Sequence, residues 1–524
     1  MLSPEYIAHV ADEAEKLAEQ IHNQALKDII KRIMIRIGAG EDVFLSATDK
    51  WQIESMQEAG YLLEDIQRAL VKYTGLMQSE ILDAMEDVCV ETLRYDNAIY
   101  KAAGLETETL SQSPFIKELL HRNYEAAMGT WKGFTKTMPS AGHDTYIKAT
   151  DKAYNLVASG TISYSDAVRI AINDIADKGI KVKYPSGHED TIETATLRAV
   201  RTGISQATGD ITMQRLIKMD WDTILVSAHY GARTGDGEEN PSNHLWWQGK
   251  FYSRTGKDKR FLPFSVTGYG TGEGLCGWNC RHSFGAGDGV NNPYDISKID
   301  KEESKKAYEL SQEQRKRERD IRRLKRKAVV LKEAINNCKN SKLKEGLQDD
   351  YRNTSRMLIS KFNDYKGFCE DNGLKSQYNR TDVGKYTSEI NESILRTVRE
   401  QNEQANLTIN QRINNGEYNL NLSEQQYQKH VEGTAKWNEY FQSRRIPQGK
   451  ITISQEEVQS IITQYAGKGD VWVDKSGNVS NKAFVTVDKV IGQYYNNGKW
   501  TDTKRIAIHY GKKGTHIVPV KEKR

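Results

Sequence analysis

Apolar residues recur every three or four positions through the first part of the chain, which is the spacing that places side chains on one face of an α-helix. A first helix is predicted over residues 5–36, where the apolar positions are Ile7, Val10, Ala14, Leu17 and Ile21. Thr48 and Asp49 offer a cap for a second helix. Further helices are predicted at about 64–103, 115–129, 145–158, 163–177 and 190–219. The pattern predicts an all-helical body over residues 1–220.

The pattern changes at Trp221, where β-prone residues and loops replace the helical spacing. The run DTILVS at residues 222–227 is short and apolar, and residues 231–290 are rich in Gly, Asn and aromatic side chains. We therefore expect residues 221–297 to form a small α+β unit with long loops.

Residues 298–428 carry many charged and amide side chains and few apolar ones. From Lys301 to about Asp364 the sequence lacks proline and is strongly charged, which predicts a long exposed helix or coiled-coil spacer. The stretch 370–428 is rich in Asn, Gln, Ser and Glu, which is typical of a polar linker with some helix.

The last part of the chain, residues 429–524, has one amphipathic helix followed by short strands. The helix is predicted near Gln455–Tyr465, and the strands at 471–473, 483–487, 490–495, 505–510 and 515–520. This order predicts an α+β domain with an antiparallel sheet. The predicted fold class is therefore multidomain, with a mainly α N-terminal body, a small α+β unit, a long helical spacer and a C-terminal α+β domain.

Length and charge limit what these segments can be. A chain of 524 residues is too long for one hydrophobic core, since cores stop growing at roughly 250 to 300 residues. The net charge is only +4, but residues 430–524 hold 16 Lys and Arg against 9 Asp and Glu, a balance of 16 − 9 = +7. The body is therefore near neutral and the tail is basic.

Cysteine usage and the N-terminus bear on where the protein is made. Five cysteines, an odd and small number for this length, argue for reduced thiols in a protein made in a cytosol. The N-terminus carries charges where a signal peptide needs an apolar core, and no run approaches the roughly 18 apolar residues of a membrane span. We expect no ordinary secretion signal and no membrane anchor.

The richest chemical signal is the run RIAIHYGKKGTHIVPV from Arg505 to Val520. GKKG between two strand-like runs is typical of a hairpin turn, and in a symmetric turn His509 faces His516. Because side chains alternate along a strand, these two histidines share one face. Their face also holds Ala507 and Val518, and the other face holds Ile506, Ile508, Tyr510, Thr515 and Ile517.

Two imidazoles across a strand pair could act on one small group, because directly opposed residues have Cβ atoms about 4.5 to 5.5 Å apart. An unperturbed histidine titrates near about 6.5, so one ring could hold a proton while the other accepts one. Cleavage of RNA by transesterification needs such an acid and such a base. The side chains expected to bind the phosphate are Lys482, Arg505, Lys512 and Lys513, with Tyr510 and Thr515 as hydrogen-bond donors.

Two other interpretations of the histidine pair stay open. The rings could be surface polar groups on an exposed sheet face, or they could belong to a zinc site. Zinc is the weaker alternative, because no third and fourth ligand lies nearby at ligand spacing.

Four segments of the tail resemble one toxin family. They are His430–Thr434 (HVEGT), Tyr465–Gly469 (YAGKG), Ile491-Gly492 and Ile508–Pro519 (IHYGKKGTHIVP). In these segments the tail is similar to the phage and polymorphic-toxin nuclease domains of the barnase, EndoU, colicin and RelE-like type, the group called bacterial toxin 50. The resemblance implies a nuclease-like domain that acts as a metal-independent endoribonuclease without a cofactor. The residues that match the family motif are His509, Lys512, Thr515 and His516, with Lys482 and His430 as further matches.

A second cluster of candidate ligands lies in the α+β unit. LCGWNCRHSF places Cys276, Cys280 and His282 close together, and His244 and His229 lie upstream. These residues could hold a structural zinc, with one of the two upstream histidines as fourth ligand. The alternative, which the unusual spacing favours, is that the thiols are buried small residues and the histidines hold loops by hydrogen bonds.

Three ordered motifs of this region, VSAHYGAR, HLWWQGKFYS and TGYGTGEGLCGWNCRHSF, resemble the signature of phage minor capsid protein 2 and of the wider Mu F-type head-morphogenesis family. The resemblance spans most of residues 1–295. It implies a protein bound near the portal inside the capsid, with portal and capsid proteins as partners. One departure is the polar loop Arg233–Asn243, which is longer than the family pattern.

The leading interpretation is a phage head protein that carries an RNase-like toxin. Its front half would bind the portal or the capsid interior, and its tail would cleave RNA in a target cell, with an immunity protein as a further partner. The protein would lie in the virion, and in the host cytoplasm during assembly and after delivery. The alternatives are a structural minor capsid protein whose basic tail binds nucleic acid without catalysis, and a tail that modifies RNA or protein by group transfer.

Overall fold

The computed structural model describes residues 1–36, 48–159, 162–184, 186–294, 299–444, 449–474, 477–496 and 498–522. The chain divides into two compact units, Met1–Asp350 with Gln377–Thr387 and Tyr351–Ser376 with Ser388–Arg524. The predicted multidomain fold class is confirmed, with a mainly helical N-terminal body and antiparallel sheets in the C-terminal region. The two units do not coincide with the four predicted segments, and the predicted boundary at 297/298 lies outside the described residues.

The first unit is mainly helical. Its helices are α1 Pro4–His9, α2 Asp12–Arg36, α3 Thr48–Ala102, α4 Pro114–Thr135, α5 Met138–Ala158, α6 Tyr164–Lys178, α7 Ile192–Lys218, α8 His244–Trp247 and α9 Lys301–Asn337. Helix α10, Ser341–Asp371, begins in this unit and ends in the second. The predicted helix over 5–36 is two helices, and the helices predicted on either side of residue 63 form one continuous α3. None of the described helices has an apolar stretch of the length that a bilayer span requires.

The predicted α+β unit is present, and it packs as part of the helical body. Its four-stranded sheet has the order β5-β4-β3-β6, and β1 and β2 form a separate hairpin. The core beside the larger sheet includes Tyr100 of α3 and Leu216 of α7. The backbone N–H of Ala286 donates to Asp96 Oδ1 at 3.0 Å. The strands are β1 Lys181–Lys183, β2 Glu189–Thr191, β3 Thr223–Val226, β4 Phe251–Ser253, β5 Leu262–Pro263 and β6 Phe284–Ala286.

The charged helix α9 packs into the first unit along one face. The guanidinium group of Arg326 donates to Glu19 of α2 at 3.0 Å and to Glu193 of α7 at 2.6 Å, and all three side chains are buried. The prediction of a long helix is confirmed, but the prediction of an exposed spacer is wrong, because α9 has a buried stripe and a buried ion network. The stripe consists of Ile321, Leu324, Ala328, Leu331 and Ala334.

The second unit is α+β, with two antiparallel sheets of order β13-β12-β9-β8 and β11-β10-β7. The helix predicted at 455–465 is confirmed, and Ser454 and Glu457 form a capping box at its start. The sequence does not predict β11, because KWTDT lacks apolar alternation. The helices are α11 Ser388–Asn414, α12 Glu424–Tyr427, α13 Ala435–Arg444 and α14 Gln455–Tyr465, and the strands are β7 Lys450–Ile451, β8 Asp470–Val473, β9 Val479–Thr486, β10 Gly492–Asn496, β11 Lys499–Thr503, β12 Arg505–His509 and β13 His516–Pro519.

Helix α11 belongs to the second unit, and the sequence predicts some helix there, but within a polar linker. Ile409 of α11 is buried in the same core as Ile462 and Ile508. The side chains of Asn402 and Asn406 donate to the carbonyl oxygen of Gly469 at 3.1 and 2.8 Å. The linker prediction is therefore wrong over α11, because asparagines spaced by four residues form a contact surface along the helix.

Replacing Arg326 by Met should strongly destabilise the first unit, because Glu19 and Glu193 would stay buried without their guanidinium partner. Breaking a buried ion pair typically costs about 3–5 kcal/mol. The matched control is Lys27→Met, since Lys27 pairs with Glu333 at 3.0 Å in a more exposed position and should contribute less than about 1 kcal/mol. Urea unfolding measures both variants, and equally small effects would contradict the buried packing of α9.

Candidate functional site

Strands β12 and β13 form the predicted hairpin. His509 is paired with His516, and Ile508 with Ile517. The ring centroids of the two histidines are 4.7 Å apart. Ile508 and Ile517 are buried in the core of the second unit, so the alternate residues lie on the other face. The predicted register is confirmed, and it brings the two imidazoles together.

A lysine and a third histidine stand beside this pair. Lys482 of β9 is exposed and paired in register with His509. The ring of His430 stacks on that of His516, with centroids 5.9 Å apart and planes 13° from parallel. Since a carbonyl oxygen only accepts, His430 Nδ1 donates to the Gly449 carbonyl oxygen at 2.9 Å, which leaves Nε2 as the acceptor nitrogen in the neutral ring.

The two hairpin imidazoles are half-buried, and within the described part of the chain neither ring has a protein hydrogen-bond partner. Burial, reinforced by positive charge on His516 and Lys482, lowers the pKa of His509 to about 3. Burial, reinforced by His430 and Lys429, lowers the pKa of His516 to about 4. Both rings are therefore neutral at pH 7 in the free protein, although an unperturbed histidine titrates near about 6.5.

Two predicted site residues of the hairpin do not face the histidines. The hydroxyl of Thr515 is buried and donates to the Asn419 carbonyl oxygen at 2.7 Å. The hydroxyl of Tyr510 is also buried and accepts from the Gly467 backbone N–H at 3.0 Å. The expectation that these hydroxyls donate to a phosphate is wrong, and so is the catalytic role expected of Thr515, because alternation along the strands places both residues on the core face.

The predicted basic residues lie at different distances from the pair. Arg505 shares the histidine face but lies at the far end of β12, about 13 Å from His509 by strand rise. Its guanidinium is 3.5 Å from the carboxylate of Asp470, so it does not border the imidazoles. Lys512 and Lys513 are exposed in the turn that follows His509. Sequence reasoning missed Lys429, and its position next to His430 is the signal that could have found it.

A second cluster, in the first unit, has the residue types of a metal site. His244, Cys280 and His282 are buried and each offers one ligand atom, and these atoms lie within 4.8 Å of one another. We call these three residues the His–Cys group. Cys276, also predicted as a ligand, is not part of it, and its Sγ lies 3.9 Å from the His282 carbonyl oxygen. His229 instead stacks on His282 with ring centroids 4.5 Å apart.

Hydrogen bonds fix the free ring nitrogens of the His–Cys group. His244 Nε2 donates to the Glu273 carbonyl oxygen at 2.8 Å, and His282 Nε2 donates to Gln248 Oε1 at 2.9 Å. Each neutral ring therefore keeps an unprotonated Nδ1, and that of His282 lies 3.6 Å from Cys280 Sγ. Metal-binding histidines have this arrangement, in which the remote nitrogen donates to an oxygen. The residues present thus fit a zinc ion.

Comparison of the chain with protein-family models finds two matches. The model for phage minor capsid protein 2 matches residues 2–360, and the model for bacterial toxin 50 matches residues 422–519. Comparisons with curated proteins and with solved structures find no match. The first match contains the His–Cys group, and the second contains His430, Lys482 and both hairpin histidines.

Acidification should destabilise the second unit, because the folded-state pKa values of His509 and His516, about 3 and about 4, lie below the ordinary value of about 6.5 in an unfolded chain. Below that ordinary value the unfolded chain binds more protons, so stability is full above about 6.5 and falls as the pH drops towards the folded-state values. Replacing both histidines by glutamine should flatten this decline. Urea unfolding between pH 7 and pH 4.5 measures it, and an equally steep decline in the double variant would contradict the burial of the rings.

Proposed function

This chain belongs to the phage minor capsid protein 2 family and carries a C-terminal bacterial toxin 50 domain, and from this premise we propose that the toxin domain is a metal-independent endoribonuclease. The observation that carries the proposal is the pair of imidazoles 4.7 Å apart, without protein hydrogen-bond partners in the described part of the chain, beside the exposed Lys482. The basic balance of residues 430–524 favours a polyanionic substrate.

The reaction needs one proton acceptor and one proton donor around a single phosphate. One imidazole removes the proton of the ribose 2′-hydroxyl, whose oxygen attacks the adjacent phosphorus. The bond from phosphorus to the 5′-oxygen breaks, and the other ring, as imidazolium, protonates that leaving oxygen. The products are a 2′,3′-cyclic phosphate and a 5′-hydroxyl, and no step requires a metal or another cofactor.

The acid must gain its proton when the substrate binds, because both rings are neutral in the free protein at pH 7. A phosphodiester beside the rings brings a negative charge, and a nearby negative charge favours imidazolium. Lys482 then offsets the charge that develops on the phosphate oxygens. His430 packs against the ring of His516 and positions it. Lys512 and Lys513, exposed in the turn, bind neighbouring phosphates of the same RNA.

In this proposal the first unit determines where the protein is located. It binds portal or capsid proteins in the capsid interior of the virion, and the chain reaches the cytoplasm of a target cell on delivery. An immunity protein is the partner that would cover the histidine face and keep the producing cell alive. The alternative is a purely structural capsid protein whose tail binds nucleic acid without cutting it.

We also propose a structural zinc ion at the His–Cys group. The two Nδ1 atoms and the Cys280 thiolate would bind the ion, and the bonds from Nε2 to Glu273 and Gln248 hold the rings in place. Burial raises the pKa of the Cys280 thiol, so zinc must displace the thiol proton on binding.

The full chain should cleave RNA in EDTA, and His509→Ala or His516→Ala should lower the rate by about 100- to 10,000-fold, the usual contribution of a general acid or base. Tyr510→Phe is the matched control from the core face of the same hairpin, and its rate should be unchanged. Gel analysis of a labelled RNA measures the rates, and circular dichroism checks the fold. Binding without cleavage by the natural protein would favour the structural alternative, and cleavage at an equal rate by the histidine variants would contradict the proposed role of the two imidazoles.

The purified full chain, saturated with zinc and freed of excess, should retain one ion at the His–Cys group. Cys280→Ser and His244→Ala should lose this ion, because each removes one of three ligands. Cys276→Ser should keep it, because Cys276 lies outside the group. Elemental analysis measures the zinc content, and equal loss in all three variants would contradict the ligand assignment.

A further inference from the structure

A cavity of about 600 Å³ in the first unit is lined by an excess of arginines. Seven arginines and three carboxylates border it, and no lysine does. His229 and two residues of the His–Cys group form part of one wall. Neither the nuclease proposal nor the zinc proposal uses the arginines, so their accumulation around one space needs its own explanation.

The carboxylates balance only part of this charge. Glu15 is paired with Arg322, whose Nη1 lies 2.5 Å from its carboxylate, and Asp12 is paired with His9 at 2.9 Å. Six of the seven arginines, all except Arg322, form no ion pair in the part of the chain that the structure describes. We call four of these six the free arginines: they are Arg201, Arg281, Arg315 and Arg380.

The free arginines are held close together at an electrostatic cost. Arg201 is 5% exposed, and although one of its nitrogens donates to the Ala8 carbonyl oxygen at 2.7 Å, its Nε has no hydrogen-bond partner. Burial and the charge of Arg315 lower the pKa of Arg201 to about 10, and burial and the charge of Arg380 lower the pKa of Arg315. Mutual repulsion of cations that are wholly or partly removed from water is unfavourable, and an anion between them would replace this repulsion by attraction.

We propose that this cavity binds a small ligand of the nucleoside triphosphate class, with its phosphates among the free arginines. Guanidinium groups make paired, charge-assisted hydrogen bonds to phosphate oxygens, which suits arginine better than lysine. The volume lies within the range of about 300–1,000 Å³ usual for small-molecule sites. Trp278 is 60% exposed and lines the same cavity, and an indole ring is a group on which a base can stack.

Burial of Arg201 favours a small ligand over a nucleic-acid duplex. The phosphates of a duplex stay on the outside of a wide rod, and Arg201, at 5% exposure, lies too deep for such a rod to reach. A flexible chain of phosphates can enter a cavity and contact several guanidinium groups at once.

To test this proposal, ATP and, in parallel, inorganic tripolyphosphate are titrated into the full chain, and calorimetry measures their binding. Arg315→Gln together with Arg380→Gln should weaken ATP binding at least about 100-fold, because removing a charge-assisted hydrogen bond weakens binding about tenfold and each substitution removes one. Arg380→Gln alone should weaken it about tenfold. The matched control is Lys316→Gln, which removes one exposed positive charge from the same helix α9 outside the cavity and should leave binding unchanged.

The ligand-free melting temperature separates binding from folding. It should stay equal or rise in the double variant, because that variant relieves repulsion between like charges. Equal ATP binding by the natural protein and the double variant would overturn the proposal, and so would the absence of ATP binding to the natural protein. Binding of duplex DNA that depends on Arg315 and Arg380, without ATP binding, would overturn it in favour of a DNA contact.

Discussion

The pairing of β12 with β13 decides what the second unit can do. A slip of one residue would exchange the two faces of a strand, moving an imidazole into the core and an isoleucine into water. Burial of Ile508 and Ile517 in the main core prevents this slip. Gly514 closes the turn with φ at +135°, and a Cβ there would lie 3.0 Å from the Asn421 carbonyl oxygen. Core packing on one face thus sets the geometry of the histidine pair on the other.

The hairpin could be predicted from the sequence because its information is local. The turn residues and the alternation of side chains fix which residues face each other. The same alternation places Tyr510 and Thr515 on the face of the hairpin that points away from the histidines. A role for their hydroxyls in binding the phosphate is therefore inconsistent with the alternation that predicts the histidine pair. His430, which matches the family motif, and its neighbour Lys429 lie in a distant segment, so their contact with the ring of His516 could not be predicted from the sequence. The neutral state of the rings was unpredictable for the same reason, since it depends on burial.

The helices α9 and α11 show why composition does not predict the packing of the middle of the chain. Both are dominated by charged or amide side chains, which usually indicate a solvated face. In α9 the decisive partners of Arg326 are carboxylates on α2 and α7, far away in sequence. In α11 the decisive partner is the backbone at Gly469. Polar residues that pair with distant polar groups look the same in a sequence as polar residues that meet water.

In the proposed reaction two imidazoles of the second unit act on a ribose 2′-hydroxyl, and the ends of the cleaved RNA report that chemistry most directly. Phosphorus NMR and mass spectrometry of the products formed in EDTA should show 2′,3′-cyclic phosphate and 5′-hydroxyl ends, and an RNA methylated at its 2′-oxygens should stay intact. Products with 5′-phosphate and 3′-hydroxyl ends, or cleavage of the methylated RNA, would contradict the account.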